Sequence, residues 1–324
     1  MSGTAHAKLI EDRGEAAASE EFFRSSQFLE AEGVTHTLRV AREGGELVAP
    51  LIVREIDGGP ECDAISPYGY PGLVPIVGKT AAIGAQPSPT RLDPSEVDFS
   101  ATSLVSIFLR HALGDPPFAA TRTRNVVQIA DPALPAKSRG SDRNQINKNL
   151  RNGYQLHLVP GAKTSAAQRA GFLAAYEQTM RRTGAAERYF FGAAYFDRIL
   201  ECPRTWLAFA EAPNGTIAAA SVAATSDGYL HYYLSGSADS HLRDSPMKNV
   251  LASLVELSAE LGQPLNLGGG ISRGDRLEEF KRGFSNRELA WHSSEIVADR
   301  SAYERLSAGH TADGFFPAYR APSA

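Results

Sequence analysis

The chain has 324 residues, 43% of them apolar and 22% charged, and a formal net charge of −4. This is the composition of a folded globular protein of about two domains. It argues against wholesale coating by nucleic acid but leaves room for a local basic patch. No apolar run approaches the ~20 residues that a bilayer span needs. The two cysteines, Cys62 and Cys202, stand too far apart in sequence for a metal-ligand motif, and no disulfide framework is needed.

The N-terminal stretch MSGTAHAKLIEDRGEAAASEEFF is polar and acidic with no apolar h-region, so no secretory signal is expected and the expected compartment is the cytoplasm. Apolar residues at helical spacing predict a helix over 20–33, stopped by Gly33. Strands are predicted over 35–41 and 47–55, with Glu43-Gly-Gly-Glu46 as the hairpin turn. Proline and glycine break regular structure over 66–72, a loop carrying Tyr68 and Tyr70 that reads either as a binding loop or as packed surface. The stretch 80–93 is turn-rich, and 101–113 reads as a helix ending at Gly114.

Residues 131–140 read as a connection between two domains, 1–140 and 141–324. A basic helix is predicted over 142–152. From Lys137 to Arg151 five basic residues (Lys137, Arg139, Arg143, Lys148, Arg151) face one acid (Asp142), a local charge of +4. Arg143, Lys148 and Arg151 read as nucleic-acid or phosphate contacts, or as an ordinary solvated face. The second half predicts a strand over 154–159, a helix over 165–183 capped by Ser165, and a shorter helix over 195–200. Three strands follow over 205–211, 216–225 and 229–237, with Asn214-Gly215 and Asp227-Gly228 at the turns. A helix over 247–261 stops at Gly262, and a strand over 264–267 runs into Gly268, Gly269 and Gly270.

Three consecutive glycines bury no side chain. They suit close backbone approach or positive φ angles, and equally a plain turn. The helix that follows carries Phe280 and Lys281, and a helix N-terminus beside a glycine loop favours an oxyanion or phosphate.

Asn266-Leu-Gly-Gly-Gly270 followed by Leu277-Glu-Glu-Phe-Lys-Arg-Gly-Phe284 resembles the C-terminal signature of the Fem family, the aminoacyl-tRNA-dependent transferases that build peptidoglycan cross-bridges. The similarity extends through His231-Tyr-Tyr-Leu-Ser-Gly-Ser237, Tyr176-Glu-Gln-Thr-Met180 and Tyr195-Phe196, and covers roughly residues 140–300. It implies an α/β (α+β) fold of two tandem GNAT-like domains, with mixed, mostly antiparallel sheets flanked by helices. The first domain would be a degenerate copy on the acceptor side, and the second would carry the transfer site.

The resemblance implies an aminoacyl-tRNA donor, a peptide-like acceptor amine and no cofactor or metal. Lys281 would stabilise the oxyanion or the terminal phosphate of the donor. Phe280 would stack on the terminal adenosine, although core packing explains that residue as well. Gly268, Gly269 and Gly270, with Arg143, Lys148 and Arg151, would complete the donor side. Tyr68, Tyr70, Arg182, Arg188, Tyr189, Tyr195 and Tyr233 are the acceptor-side candidates. Tyr195 matches the family tyrosine, but Phe191 stands four residues earlier where family members that grip a nucleotide diphosphate carry a basic residue. That departure leaves a cell-wall precursor and a peptide-antibiotic intermediate both open as acceptor. No general base stands out; His231, on a strand, reads chiefly as structural.

An acyl-CoA-dependent N-acyltransferase is the alternative enzyme, and a non-catalytic GNAT-like binding module the alternative outside enzymes. A coenzyme A pyrophosphate needs a glycine-rich loop of free amides ahead of the helix over 247–261. Here the connection 238–247 has no glycine and carries Asp239 and Asp244, which disfavour a pyrophosphate.

Overall fold

The computed structural model describes residues 4–42, 45–76, 92–114, 116, 118, 122–310 and 314–321. Part of the predicted hairpin turn, residues 43–44, and most of the turn-rich stretch, residues 80–91, lie outside them. In chain order the strands are β1 (Ala5–Ile10), β2 (His36–Arg42), β3 (Gly45–Glu55), β4 (Cys62–Ile65), β5 (Val74–Pro75), β6 (Val97–Asp98), β7 (Leu104–Arg110), β8 (Arg122–Ala130), β9 (Gln155–Pro160), β10 (Thr205–Glu211), β11 (Ile217–Ser226), β12 (Tyr229–Ser237), β13 (Leu265–Gly268) and β14 (Arg287–Val297). The helices are α1 (Ser26–Ala31), α2 (Gly140–Arg151), α3 (Ala166–Arg182), α4 (Ala193–Leu200), α5 (Met247–Leu261), α6 (Arg276–Arg282) and α7 (Arg300–Ser307). No helix among the described residues is long and apolar enough to cross a membrane.

The chain forms two compact units that are not continuous in sequence. The first comprises Met1–Ser19, Glu32–Arg124 and Trp291–Ala324, and the second Glu20–Ala31 and Asn125–Ala290. The boundary expected at 140 therefore falls inside the second unit, one step into α2.

In the first unit β1, β2, β3 and β4 pair antiparallel in succession, with β6 parallel at the β1 edge and β7 parallel to β4. Ser293–Val297 of β14 pair antiparallel with β7. Leu38, Val40, Leu51, Ile107, Leu109 and Phe118 are fully buried in its core. The helix expected over 101–113 is instead the strand β7. Its residues Leu104, Val105, Ser106 and Ile107 are all buried, so the strand lacks the alternation of a half-exposed one. A short unbroken apolar run fits a buried helix and a buried strand equally well. Here Val105 and Ile107 sit better on a pleated surface.

The second unit orders its strands β8-β13-β12-β11-β10-β9. β9 to β12 are antiparallel throughout, β13 joins β12 in parallel, and β8 joins β13 antiparallel. The turn between β11 and β12 holds Asp227 and Gly228 at φ +51° and +79°, the left-handed pair that a tight hairpin requires. Ser165 caps α3 and receives the reciprocal bond from Gln168. α5 stops at Gly262 in the left-handed conformation. Two apolar layers cover the sheet: α5 packs on Ala208, Ala219, Ala223 and Leu230, while α3 supplies Phe172 and Tyr176, which meet Phe196 of α4 edge-on.

The helix expected over 20–33 is divided at Ser25. A 3-10 turn, Phe22–Arg24, precedes it and α1 follows. The Ser25 hydroxyl donates to the Phe22 carbonyl (3.0 Å) and accepts the Phe28 amide (3.3 Å), closing one turn and capping the next.

Candidate active site

β12 and β13 pair only at Leu230↔Leu265 and His231↔Asn266. From there Tyr232–Ser237 continue beside β11, while Gly268 pairs across to Gln128 of β8. The sheet is thus open between its two parallel strands from Tyr232 onward. On β12 the register against β11 slips at the same place: Ala223 faces Tyr232 and Val222 faces Leu234, which leaves Tyr233 as the extra residue of a bulge. The two tyrosines turn different ways. Tyr232 joins the cluster around α5, Phe280 and Phe284, whereas Tyr233 packs on Phe22, Phe23 and Phe28.

Lys281 lies at this opening. It is buried, at 7% exposure. Its ammonium donates to the Gly269 carbonyl (2.6 Å) and stands 6.0 Å from the centre of the Tyr232 ring. Burial lowers its pKa to about 8, with Asp275 opposing the shift. Gly268 has φ +72°, the left-handed conformation that favours glycine, and a Cβ there would crowd the ammonium nitrogen at 3.2 Å. A Cβ on Gly269 would lie 2.4 Å from Asn125 Nδ2, and one on Gly270 2.4 Å from Asp275 Oδ1.

The glycine loop and the start of α6 are occupied by the protein's own carboxylates. Asp275 accepts from the amides of Ile271 (2.6 Å), Ser272 (3.0 Å) and Glu278 (2.7 Å), and Glu278 accepts from Gly274 (2.8 Å). The expected open amides for a phosphate are therefore already filled at these positions, and the positive element of the site is Lys281. Phe280 is half-buried against the α5 cluster, 6.0 Å from Phe284, so the core reading of this residue accounts for its packing.

His231 is committed to structure. The Ser226 carbonyl can only accept, so Nε2 carries the proton toward it (3.2 Å) and Nδ1 accepts from Asn266 Nδ2 (3.1 Å). Burial pushes its pKa down to about 4, which keeps the ring neutral.

On α2, Arg143, Lys148 and Arg151 are exposed, and Arg143 bonds the Ser138 carbonyl at 2.5 Å. Two neighbours are spent: Asp142 pairs with Lys248 (2.9 Å) and Arg139 with Glu279 (2.5 Å). The acceptor-side candidates divide into groups. Tyr195 and Tyr233 share a hydroxyl–hydroxyl hydrogen bond of 2.9 Å, and Phe191 stacks on Tyr195 at 4.1 Å. The Arg188 guanidinium lies 4.9 Å over the Tyr189 ring. Arg182 is ion-paired with Asp239. Tyr68 and Tyr70 belong to the first unit, where Arg110 lies 5.9 Å over the Tyr68 ring and Trp291 meets Tyr70 edge-on at 5.6 Å.

The connection before α5 is a 3-10 turn, Asp239–Asp244, held at both ends by neighbouring side chains. The Asp239 amide donates to Gln178, Tyr154 donates to Asp244 Oδ2 (3.0 Å), and Asn149 donates to the Asp244 carbonyl (2.8 Å). Its two carboxylates are engaged, Asp239 by Arg182 and Asp244 by Tyr154, and the turn contains no glycine.

Sequence reasoning missed Asn125, Tyr232 and Asp275. Asp275 carried a signal in the Asp-x-x-Glu spacing of a helix start. Asn125 carried none, because its role depends on β8 lying beside the glycine loop.

Residues 136–282 match the model of an acetyltransferase (GNAT) domain. That match spans α2, the open sheet, the glycine loop and Lys281. Among solved structures the chain is similar to FemX, with 10% identity, 87% of this chain and 93% of that chain covered, and a TM-score of 0.61. It is also similar to the C-terminal domain of a putative lysylphosphatidylglycerol synthetase from Agrobacterium fabrum, with 14% identity, coverage of 90% and 94%, and a TM-score of 0.55. No curated protein matches the chain by sequence. The fold is Fem-like, built on the GNAT pattern, and the domain match supports an acyltransferase.

Proposed function

We propose that the chain is an aminoacyltransferase, taking its aminoacyl group from aminoacyl-tRNA and passing it to an amine of a peptide-like acceptor. The observation that carries this reading is the buried ammonium of Lys281 at the open edge of β12, held by a loop of glycines. The donor ester is already activated. The acceptor nitrogen forms a bond to the ester carbonyl carbon and loses a proton. The carbon–oxygen bond to the terminal ribose then breaks, and that oxygen leaves as a hydroxyl. Between these events the carbonyl oxygen is negative, and a fixed cation in a water-poor site stabilises it far better than solvent does. The exposed arginines and lysine of α2 would hold the donor. The Tyr195–Tyr233 pair, with Arg188 and Tyr189, would hold the acceptor.

The match to an acetyltransferase domain favours a second reading, acyl transfer from coenzyme A. The acid-filled connection at Asp239–Asp244 weighs against it. One experiment separates the two. The protein is incubated with a labelled charged tRNA pool and a panel of peptide amines, with and without ribonuclease, and acetyl-CoA is titrated calorimetrically. Transfer that ribonuclease abolishes, with no saturable acetyl-CoA binding in the micromolar range, is the expected result. Tight acetyl-CoA binding with productive acetylation would reverse the order of the two readings.

A further inference from the structure

We infer that Asn125 and Asp275 are the positioning residues of Lys281, gripping the glycine loop at the Gly270 carbonyl and at the Ile271 and Ser272 amides so that the Gly269 carbonyl holds the ammonium at the open sheet edge. This rests on the proposed role of Lys281, but the grip itself is read from geometry.

Three hydrogen bonds from the two side chains fasten the loop between Gly270 and Ser272. Asn125 Nδ2 donates to the Gly270 carbonyl (2.8 Å), and Asn125 Oδ1 is fixed in turn by the Val126 amide (2.8 Å). That orients the amide group and leaves its nitrogen for the loop. The Asp275 carboxylate takes the Ile271 and Ser272 amides and also caps α6, the helix that carries Lys281. One side chain thus ties the loop to the helix whose cation the loop must meet. The glycines fit this arrangement at every position. Gly269 admits Asn125 and Gly270 admits Asp275, each at 2.4 Å from where a Cβ would stand, so neither clamp could close over a larger residue. Gly269 then offers its carbonyl to Lys281 at 2.6 Å.

The groups around the ammonium are few. Asp275 is the charged group that acts on it, and the Tyr232 ring faces it from β12. On its own helix Glu278 is engaged by Arg282 and by the Gly274 amide. Asp275 therefore affects Lys281 in two ways, through the loop and through its charge. Asn125 acts through the loop alone.

The two clamps consequently have opposite signatures. Asp275→Asn keeps an oxygen for the cap and removes the charge, so Lys281 should release its proton at lower pH than in the wild type. Asn125→Ala frees the loop, admits water to the ammonium, and should move its titration upward toward the ordinary lysine range. The probe is the whole protein labelled with ¹³C at lysine Cε, titrated by NMR, with the Lys281 signal assigned by its loss in Lys281→Arg. This readout needs no substrate, so it stands or falls apart from the proposed function. In the transfer assay both variants should lose at least tenfold in kcat with KM within about twofold, and the alkaline limb of kcat should move with the measured titration. Asn125→Gln, which keeps the donor, should recover part of the loss.

Opposite NMR shifts in the two folded variants support the assignment whatever the assay gives. If both variants melt cooperatively and Lys281 titrates as in the wild type, the two residues only shape the loop and the inference is wrong.

Discussion

Lys281 carries a charge that its surroundings disfavour. A depression of its pKa from 10.5 to about 8 means the charged form is destabilised by roughly 3 kcal/mol relative to the unfolded chain. The sign follows from proton counting. Between about 8 and 10.5 the unfolded state holds the lysine proton and the folded state does not, so stability rises with pH across that window. Below about 8 both states are protonated, and the full penalty is present. A fold of typical stability, about 5–15 kcal/mol, can carry such a penalty. Lys281→Met should therefore raise the melting temperature at neutral pH, flatten the stability rise between pH 8 and 10.5, and lower the transfer rate by ~10²–10³-fold. A melting profile with the wild-type pH dependence would show that the penalty lies elsewhere. The place of Lys281 beside the glycine loop was legible in the sequence, because the strand, the three glycines and the short helix follow one another within one local stretch. Asn125 was not, since 145 residues separate it from the Gly270 carbonyl it bonds.

At the scale of the element, local signals recovered the second unit well and the first unit poorly. Ser165, Gly262 and the Asp227-Gly228 turn each mark a boundary with their own side chain or φ angle, and α3, α5 and the β10–β12 meander lie where those marks put them. β7 has no such mark, and its partners come from distant segments: Cys62, Ala64 and Ile65 on one side and residues 293–297 on the other. β1, β4, β8 and β14 were likewise unread, being short, polar-flanked or completed by remote pairing. The basic helix α2 was found, but its charge changes meaning in the fold. Asp142 and Arg139 are consumed by ion pairs, which leaves Arg143, Lys148 and Arg151 as the outward cations. If these three meet phosphates, replacing all of them with Ala should weaken tRNA binding and lower the slope of log K against log salt by roughly one per lost contact. Transfer from a minimal donor that keeps only the acceptor end should change far less. An unchanged salt slope would make α2 an ordinary solvated face.

Over the whole molecule, the chain leaves and re-enters each unit. Residues 20–31 are spent on the second unit and residues 291–324 on the first, so the second unit is built on a segment that lies about a hundred residues ahead of its main body. That segment is anchored from both ends of the hydrogen-bonding scale. Phe22, Phe23 and Phe28 are buried and meet Tyr233 at 5.4, 5.4 and 6.3 Å between ring centres. Phe23 also stands edge-on to His231 at 4.9 Å. Arg24 donates twice to the Asp227 carboxylate, at 3.1 and 2.6 Å, and Glu21 accepts the Asp227 amide at 2.7 Å, so the turn between β11 and β12 is held by the same stretch. Burying three phenylalanines contributes about 1.5–3 kcal/mol each, a sum that rivals the net stability of an ordinary domain. Strand β8 adds the outer partner of β13, on which the position of the glycine loop depends. A fragment beginning at residue 141 lacks both. It should therefore fail to fold alone: no cooperative thermal transition, strong binding of an apolar dye, and collapsed amide dispersion in an NMR spectrum. A second fragment of residues 20–290 keeps every segment of the second unit and should recover a cooperative transition. If the shorter fragment melts cooperatively with dispersed amides, the anchoring of β12 by residues 20–31 is dispensable, and a simple division of the chain near residue 140 describes it better.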